Sequence, residues 1–298
     1  MKPNKVKGII CGIVAAITYG MNPLGALNLY AEGINPNSVL FYRYFLAVVI
    51  LAVIMLVRRE SFRVTKKELG VTAFLGLLFA ISSLTLFFSF KYMDAGIACT
   101  ILFSYPVMVA VIMAIFFKEK INFITIFSIA LALAGIGMLY RGGDGGVLST
   151  VGVLLVLASS LTYAVYIVTV NRWKSTLSPV KLTFYVMLFG TVVLTTYSFF
   201  SEANHIQPLT TPAMWGWAVM LAVFPTVVSL ILMTVAVKEI GSTPTAIMGA
   251  LEPVTAVLIG VLVFHETFTL RFALGITMIL VAVMMIIAGK SIKPGKSR

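Results

Sequence analysis

The chain has 298 residues, of which 60% are hydrophobic and only 11% are charged, and its mean hydropathy is +1.05. A composition this apolar excludes a soluble globular protein. The formal net charge of +12 would favour a nucleic-acid partner in a soluble protein, but here the positions of the basic residues argue for membrane topology instead.

Apolar runs of about twenty residues recur along the whole chain, and each is long enough to cross the ~30 Å hydrocarbon core of a bilayer as a helix. Short polar links separate the runs and leave no room for a soluble domain. The basic start resembles a signal peptide, but the first run is long and contains Pro23, so it is interpreted as an uncleaved helix. We predict an all-α membrane protein with ten transmembrane helices, at approximately 7–29, 36–57, 69–90, 94–117, 121–140, 150–172, 180–200, 213–237, 242–264 and 269–289.

The basic residues lie predominantly on one side of the predicted membrane. When the ten spans alternate, all but four of the 22 Lys and Arg residues fall on the same side, the exceptions being Lys91, Arg141, Arg271 and the intramembrane Arg43. The positive-inside rule then places both termini in the cytoplasm. We expect an integral protein of the bacterial inner (plasma) membrane, surrounded by the lipid bilayer and without a nucleic-acid partner. The sequence does not predict an oligomeric state.

Polar and aromatic side chains occur at similar depths in several spans and could meet in a central cavity. Tyrosine combines an apolar ring with a hydroxyl, which suits a small amphipathic metabolite. A single Ser or Thr in a membrane helix more often bonds a carbonyl one turn earlier, so only the cluster indicates a site. The candidate substrate-binding or coupling residues are Tyr19 and Asn22 in span 1, Arg43 in span 2, Ser82 and Ser83 in span 3, Ser104 and Tyr105 in span 4, Tyr163 in span 6, Thr226 and Ser229 in span 8, and Glu252 in span 9.

Arg43 and Glu252 are the two charged residues well inside the predicted spans. A charged side chain costs about 2.5–3.5 kcal/mol near the bilayer centre on insertion scales, so each should face the protein interior and have a partner. Glu252 could carry a coupling proton or bind a substrate ammonium, and Arg43 could bind a substrate carboxylate. The alternatives are a structural Arg43–Glu252 ion pair, an Arg43 that bonds backbone carbonyls, and an Arg43 that extends towards the membrane surface.

Prolines interrupt four of the predicted spans, at Pro23, Pro106, Pro225 and Pro253. Each proline removes a backbone N–H and frees a carbonyl that lipid cannot satisfy, so such kinks are tolerated where they line a cavity or pack on other helices. Pro106 and Pro253 occupy matching positions, and we predict that they shape the cavity and bend during gating. The alternative is that they are ordinary kinks held by packing.

A fourteen-residue pattern at the end of span 4 returns 147 residues later. Residues 106–119 and 253–266 share Pro, Val, Ile, Phe and Glu at five of fourteen positions. A repeat of half the chain length is typical of transporters, and five spans in each half require the second half to be inverted in the membrane. We predict a first five-helix repeat at 1–141, a glycine-rich linker at 142–149, an inverted second repeat at 150–290 and a basic cytoplasmic tail at 291–298.

The chain lacks the usual signatures of an enzyme. It contains no HExxH, no paired Asp-x-x-Asp, no phosphate loop and no convincing Ser/His pair within the membrane. His205 and His265 lie far apart in sequence without an evident metal-ligating partner, and Cys11 and Cys99 are interpreted as small packing residues. We therefore predict that the protein is not an enzyme and that it has no cofactor and no metal.

Several short motifs together resemble the drug/metabolite transporter superfamily in its ten-span EamA-like form. They are Phe41-Tyr42-Arg43-Tyr44-Phe45-Leu46-Ala47, Lys91-Tyr92-Met93-Asp94-Ala95, Pro106 with Glu119, Ala134-Gly135, and Leu251-Glu252-Pro253-Val254 with Glu266. The resemblance implies inner-membrane transport of small metabolites, often export of amino acids or related compounds, by alternating access around a central cavity.

The chain also departs from the pattern of that superfamily. The family glutamates that match Glu119 and Glu266 commonly follow glycine, whereas Lys118 and His265 precede them here, so we expect these loop ends to pack differently. Val186 stands in the second half where Arg43 stands in the first, so any substrate anchoring by the arginine would be asymmetric.

We predict an alternating-access transporter of small organic metabolites and favour an exporter of amino acids, with aromatic or apolar ones suited to a tyrosine-lined cavity. It could be a facilitator or a proton antiporter that uses Glu252. The alternatives are a flippase for lipids or lipid-linked substrates and a non-transporting channel or receptor.

Overall fold

The computed structural model describes residues 4–118, 123–140, 148–173 and 177–291. All regular elements within these residues are helical. Glu119, residues 142–147 of the predicted linker and residues 292–298 of the predicted tail lie outside the described residues.

The described residues form seven α-helices up to residue 140 and seven more from residue 150. The first seven are α1 (Lys5–Gly20), α2 (Asn22–Ala31), α3 (Pro36–Val57), α4 (Lys66–Ser89), α5 (Ala95–Leu102), α6 (Tyr105–Phe117) and α7 (Phe123–Tyr140). The others are α8 (Thr150–Arg172), α9 (Pro179–Phe200), α10 (Pro212–Ala222), α11 (Ser229–Ile240), α12 (Ser242–Met248), α13 (Leu251–Val263) and α14 (Leu270–Ser291). A 3-10 turn, Glu202–Asn204, follows α9, and a π-helical turn, Val223–Val228, joins α10 to α11.

The protein is an integral membrane protein whose outer surface is apolar. Eight helices or continuous helix pairs among the described residues are long and apolar enough to cross a membrane, and two shorter apolar helices are Phe123–Leu139 and Leu251–Val263. Large side chains such as Phe123 (80% exposed) and Phe200 (86% exposed) lie on the outside, where only lipid would stabilise them. The two shorter helices fall in the predicted fifth and ninth spans, and these two account for the difference between ten predicted spans and eight.

Local sequence explains where several long helices begin. α3, α9 and α10 each start with a proline, whose missing N–H is one that no helix start could pair internally. The residue before each proline, Asn35, Ser178 or Thr211, accepts a backbone N–H from three positions later. Thr65 and Glu68 form a reciprocal capping box at the start of α4.

Small residues allow close approach between helices from the two parts of the chain. The main packed pairs are α7 with α14, α4 with α8, α1 with α11, α4 with α9, α3 with α9, and α5 with α13. A Cβ on Gly135 of α7 would lie 2.9 Å from the carbonyl oxygen of Gly275 in α14, and one on Gly76 of α4 would lie 2.6 Å from Cβ of Phe189 in α9. Larger side chains at these glycines would push the helices apart.

The two residues that replace glycine before Glu119 and Glu266 both adopt a left-handed backbone conformation. Lys118 has φ 53° and His265 has φ 55°. Glycine reaches this region without the steric cost that a Cβ imposes. The residues before Glu119 and Glu266 therefore have a backbone conformation that glycine would adopt at less steric cost.

Candidate functional site

Four helix interruptions converge on the centre of the bundle, and a proline accompanies each. α1 gives way to α2 next to Pro23, α5 to α6 next to Pro106, and α12 to α13 next to Pro253, while Pro225 lies in the π-helical turn. Proline cannot donate to the preceding turn and disfavours helical geometry at the residue before it. The predicted interruption of spans 1, 4, 8 and 9 is confirmed.

These interruptions surround a cavity of about 40 Å³. Nine of the predicted residues line it: Tyr19, Asn22, Arg43, Ser82, Ser83, Tyr105, Tyr163, Glu252 and Pro253. Three of them, Asn22, Tyr105 and Glu252, directly precede a proline in sequence. Three of the four interruptions thus present a polar side chain to the cavity at the point where the helix is broken.

Four predicted residues lie outside the cavity wall. Ser104 pairs its hydroxyl with that of Ser160 at 3.1 Å, and Ser229 donates to the carbonyl of Ala15 at 2.9 Å. These contacts join α8 to the α5–α6 junction and α11 to α1, so they are helix-packing contacts. Pro106 is the second residue of α6, directly behind Tyr105. Thr226 lies behind Arg43 and bonds it.

Arg43 is the most deeply buried charged group at the cavity. It is only 2% exposed, so the alternative in which it extends towards the membrane surface is wrong. Its Nε donates to the Thr226 hydroxyl at 2.9 Å, and its Cζ lies 5.9 Å from the ring centroids of Tyr44 and Phe87. Its Nη2 is buried without a hydrogen-bond partner among the described residues. An unpaired buried donor is costly and suits an anionic ligand.

Glu252 and Asn22 supply acceptors to the same cavity. Within the described part of the chain, Arg43 and Glu252 form no ion pair within 4.0 Å, so the structural pair considered from sequence is not present in this conformation. Asn22 donates through Nδ2 to the Tyr19 carbonyl at 2.8 Å, while its Oδ1 is buried without a partner in the described structure. The cavity therefore combines an unpaired cationic donor with an unpaired neutral acceptor and a carboxyl group.

An aromatic cluster forms one wall. The ring of Tyr163 lies 4.8 Å from that of Tyr105 in an edge-to-face arrangement and 5.7 Å from that of Tyr166, stacked. Phe79 adjoins both Tyr163 and Tyr166, with centroids at 6.2 and 5.5 Å. Such geometries favour packing against another aromatic or apolar group.

The serines of α4 line the cavity but have partners of their own. Ser82 and Ser159 exchange hydrogen bonds, each donating to the other's carbonyl at 3.0 and 2.6 Å. Ser83 accepts the hydroxyl of Tyr44 at 2.6 Å. These hydroxyls hold α4 against α8 and α3, so less of their hydrogen-bonding capacity is free for a ligand than sequence reasoning assumed.

Sequence reasoning missed the apolar part of the lining. The missed residues are Gly20, Phe79, Leu86, Phe87, Cys99, Leu102, Phe103 and Ala256. An apolar residue in a membrane helix carries no signal that separates a cavity wall from a lipid-facing or packed position. Cys99, interpreted as a packing residue, also contacts the cavity. Close packing explains the glycine at position 20, because a Cβ there would lie 2.6 Å from the carbonyl oxygen of Glu252.

A larger recess of about 530 Å³ lies between α6, α7 and α8. Apolar residues such as Val107, Ile129 and Leu157 line it, and Ser104 is its sole hydroxyl-bearing residue among those described. It lacks the charged groups that recognise a polar metabolite. The described residues also contain no cluster of three or more His, Cys, Asp or Glu that could hold a metal ion. The smaller polar cavity is therefore the candidate site.

Comparison with known proteins identifies relatives over nearly the whole chain. Residues 6–141 and 150–288 each match the EamA-like transporter family. A transporter from Archaeoglobus fulgidus, named only as uncharacterized, is 26% identical over 273 residues, which cover 91% of this chain and 94% of that protein. The uncharacterized transporter YcbK of Bacillus subtilis is 23% identical over 279 residues, covering 90% of this chain and 88% of YcbK.

The fold is similar to that of a solved crystal structure. That structure superposes with a TM-score of 0.65 at 15% identity and covers 95% of this chain and 96% of its own. At this identity the likeness concerns the fold alone.

Proposed function

Because this chain belongs to the EamA-like transporter family, whose members are membrane transporters and not enzymes, we propose that it exports amino acids or closely related metabolites by alternating access. Its partners are the lipid bilayer and a small-molecule substrate. The relatives leave the substrate open, so the substrate class is argued from the cavity.

The observation that carries the proposal is the pairing of opposite chemistries in one cavity. The unpaired Nη2 of Arg43 suits a substrate carboxylate, whereas the carboxyl group of Glu252 and the unpaired Oδ1 of Asn22 suit an ammonium. A molecule that bears both groups, as an amino acid does, would satisfy all three. The aromatic wall at Tyr105 and Tyr163 favours an aromatic or apolar side chain on that amino acid.

The size of the cavity supports a conformational cycle. A cavity of about 40 Å³ accommodates only a few water molecules, since one water molecule needs roughly 10–15 Å³ of cavity volume. An amino acid therefore requires the surrounding helices to separate. The interrupted helices offer places for this motion, and we propose that Pro106 and Pro253 bend during gating.

Packing symmetry supports a ten-helix arrangement of two inverted five-helix repeats. If α1 corresponds to α8, α3 to α9, and α4 to the α10–α11 segment, the α4–α8 contact corresponds to α11–α1, and α4–α9 to α10–α3. The pairs α3–α9 and α7–α14 correspond to themselves, as contacts on a pseudo-twofold axis should. We propose repeats at 1–141 and 150–290, a linker at 142–149 and a tail at 291–298.

The basic residues support an orientation with both termini in the cytoplasm of a bacterial inner membrane. For energetics, a facilitator and a proton antiporter are both compatible with the cavity. In the antiporter, Glu252 would release its proton when it binds the substrate ammonium and recover one when the substrate leaves, so the two cargoes would exclude each other.

The test is flux of an amino-acid and metabolite panel in proteoliposomes, with and without an imposed pH gradient. Saturable flux and counterflow of amino acids support the proposal, and the pH response separates facilitator from antiporter. Arg43→Gln should abolish this flux, whereas the matched control Arg271→Gln, at an exposed arginine outside the cavity, should leave it unchanged. Transfer of lipid-linked compounds between leaflets, or non-saturable flux without counterflow, would contradict it.

A further inference from the structure

We propose that Thr226 is a positioning residue that orients Arg43 towards the substrate carboxylate. This inference rests on the proposed function. Thr226 does not line the cavity, and its role follows from two consecutive hydrogen bonds that join the Leu221 carbonyl, the Thr226 hydroxyl and the guanidinium of Arg43.

The first of these hydrogen bonds involves a carbonyl that proline leaves free. In a regular α-helix, the N–H of residue 225 would bond the carbonyl of Leu221, four residues earlier. Pro225 has no N–H, and the backbone opens into the π-helical turn Val223–Val228. The Thr226 hydroxyl donates to the Leu221 carbonyl at 3.0 Å and satisfies it.

Because the Thr226 hydroxyl donates its hydrogen to Leu221, it can only accept a hydrogen bond from Arg43. A hydroxyl carries one hydrogen, so once it points at Leu221 the oxygen lone pairs remain as acceptors. Nε of Arg43 donates to that oxygen at 2.9 Å. Thr226 is 1% exposed and Arg43 is 2% exposed, so the hydrogen bond between them is shielded from bulk water.

Fixing Nε orients the whole guanidinium, because the group is planar and rigid. Nη2 then has a defined direction, and it is the guanidinium nitrogen that is buried without a partner. The arginine belongs to α3 and its anchor to the α10–α11 segment, which are different spans. Relative movement of these spans would change the direction of Nη2, so orientation and gating are coupled at this contact.

Two variants separate the hydroxyl from the shape of the side chain. Thr226→Val removes the hydroxyl and retains the branched shape, whereas Thr226→Ser retains the hydroxyl and removes a methyl. The readout is the KM of a transported amino acid relative to the KM of its α-carboxamide, which lacks the carboxylate. This ratio is independent of the amount of active protein, and Thr226→Ala serves if the valine variant does not fold.

We expect Thr226→Val to raise the KM of the amino acid by about tenfold or more, in keeping with hydrogen bonds to charged groups, while the KM of the carboxamide changes little. Thr226→Ser should restore the preference for the carboxylate. In an Arg43→Lys background, which lacks Nε, Thr226→Val should have no further effect on the ratio.

The role of Thr226 would be overturned if wild type and Thr226→Val had the same KM ratio of amino acid to carboxamide, or if Thr226→Ser lost the preference for the carboxylate as well. In either case, saturable flux in wild type would still support the proposed function. Absence of saturable amino-acid flux in folded wild-type protein would overturn both.

Discussion

α6 and α13 carry the two copies of the repeated fourteen-residue pattern, and they agree in backbone but differ in chemistry. Both begin at a break in a membrane span, with a cavity-lining residue directly before a proline. Both end in a loop whose first residues include a left-handed Lys118 or His265. At the start, however, α6 presents the aromatic ring of Tyr105, whereas α13 presents the carboxyl group of Glu252.

A second difference lies near the other end of the two helices. Gly260 in α13 corresponds to Met113 in α6. The absence of a side chain at Gly260 admits the carboxylate of Glu266, which accepts backbone N–H groups of Ala95 at 2.8 Å and Gly96 at 3.1 Å at the start of α5. The comparison shows that proline and a left-handed turn reproduce a backbone shape, while single side chains decide what each copy binds.

The largest expected effect comes from removing the charge that distinguishes α13. Glu252→Gln should abolish pH-driven flux yet preserve counterflow if Glu252 carries the coupling proton. If Glu252 instead binds the substrate ammonium, both should fall by about tenfold or more, as for loss of a charge-assisted hydrogen bond. The measurement is proteoliposome flux, with Tyr105→Phe as the corresponding change in α6, which should leave the pH response intact. Unchanged flux in Glu252→Gln would contradict either role.

The next effect is on stability and concerns Gly260. A Cβ there would lie 2.0 Å from Oε2 of Glu266, so Gly260→Ala must displace the carboxylate from the start of α5. We expect destabilisation of about 1–3 kcal/mol, typical of overpacking, measured by unfolding in detergent. Gly137→Ala in α7 is the matched control, because nothing lies within 4 Å of its added Cβ. A neutral Gly260→Ala would show that the Glu266 contact contributes little.

The contact at the end of α13 should also respond to pH. Burial, together with nearby Asp94, raises the pKa of Glu266 to about 7 from 4.5, although the N–H groups of Ala95 and Gly96 oppose the shift. The folded protein binds this proton more readily than the unfolded chain, so protonation of Glu266 stabilises the fold. This contribution to the free energy of unfolding is full below pH 4.5 and is lost as the pH rises through about 7. Stability in detergent should therefore fall over this window in wild type, and Glu266→Gln should lose that part of the slope. An identical pH profile in the two proteins would refute the assignment.

The smallest effect concerns the feature that the two copies share. Glycine at a left-handed position avoids the cost of a Cβ, so His265→Gly and Lys118→Gly should each stabilise by about 0.5–1 kcal/mol. Thermal unfolding of the two variants checks this. Destabilisation by either change would show that its side chain makes a contact worth more than the backbone strain.

The membrane spans were largely predictable because the sequence features that define a helix and its ends lie close together along the chain. The predicted 36–57 and 150–172 match α3 (Pro36–Val57) and α8 (Thr150–Arg172), since an apolar run and a capping residue act within one turn of each other. At α3 a proline follows the capping residue. The proline interruptions were predictable for the same reason. The interruption of span 9 was predicted at Pro253, whereas the break between α12 and α13 lies a few residues earlier, at Gly249-Ala250.

The candidate site was predictable in its polar members and not in its geometry. Arg43 and Glu252 were identifiable because a charged side chain in a membrane span is energetically costly, so its presence indicates a functional or structural role. Ser104 and Ser229 resemble Ser82 and Ser83 in sequence, yet the first two hold helices together outside the cavity and the others line it. Which way a hydroxyl faces depends on the rotation of its helix against its neighbours, and a single span does not encode that rotation.

By itself, the sequence determined that this protein lies in a membrane, that its spans are helices, that prolines interrupt them, and that two halves share a pattern. Hydrophobic run length, charge and the missing N–H of proline act along the chain and can be read from it. Only the tertiary structure decided that Thr226, 183 residues from Arg43, accepts a hydrogen bond from Nε of the arginine, and that Glu266 caps α5. Such contacts arise when separate helices pack, because packing selects which side chains face each other at a distance that no local pattern records.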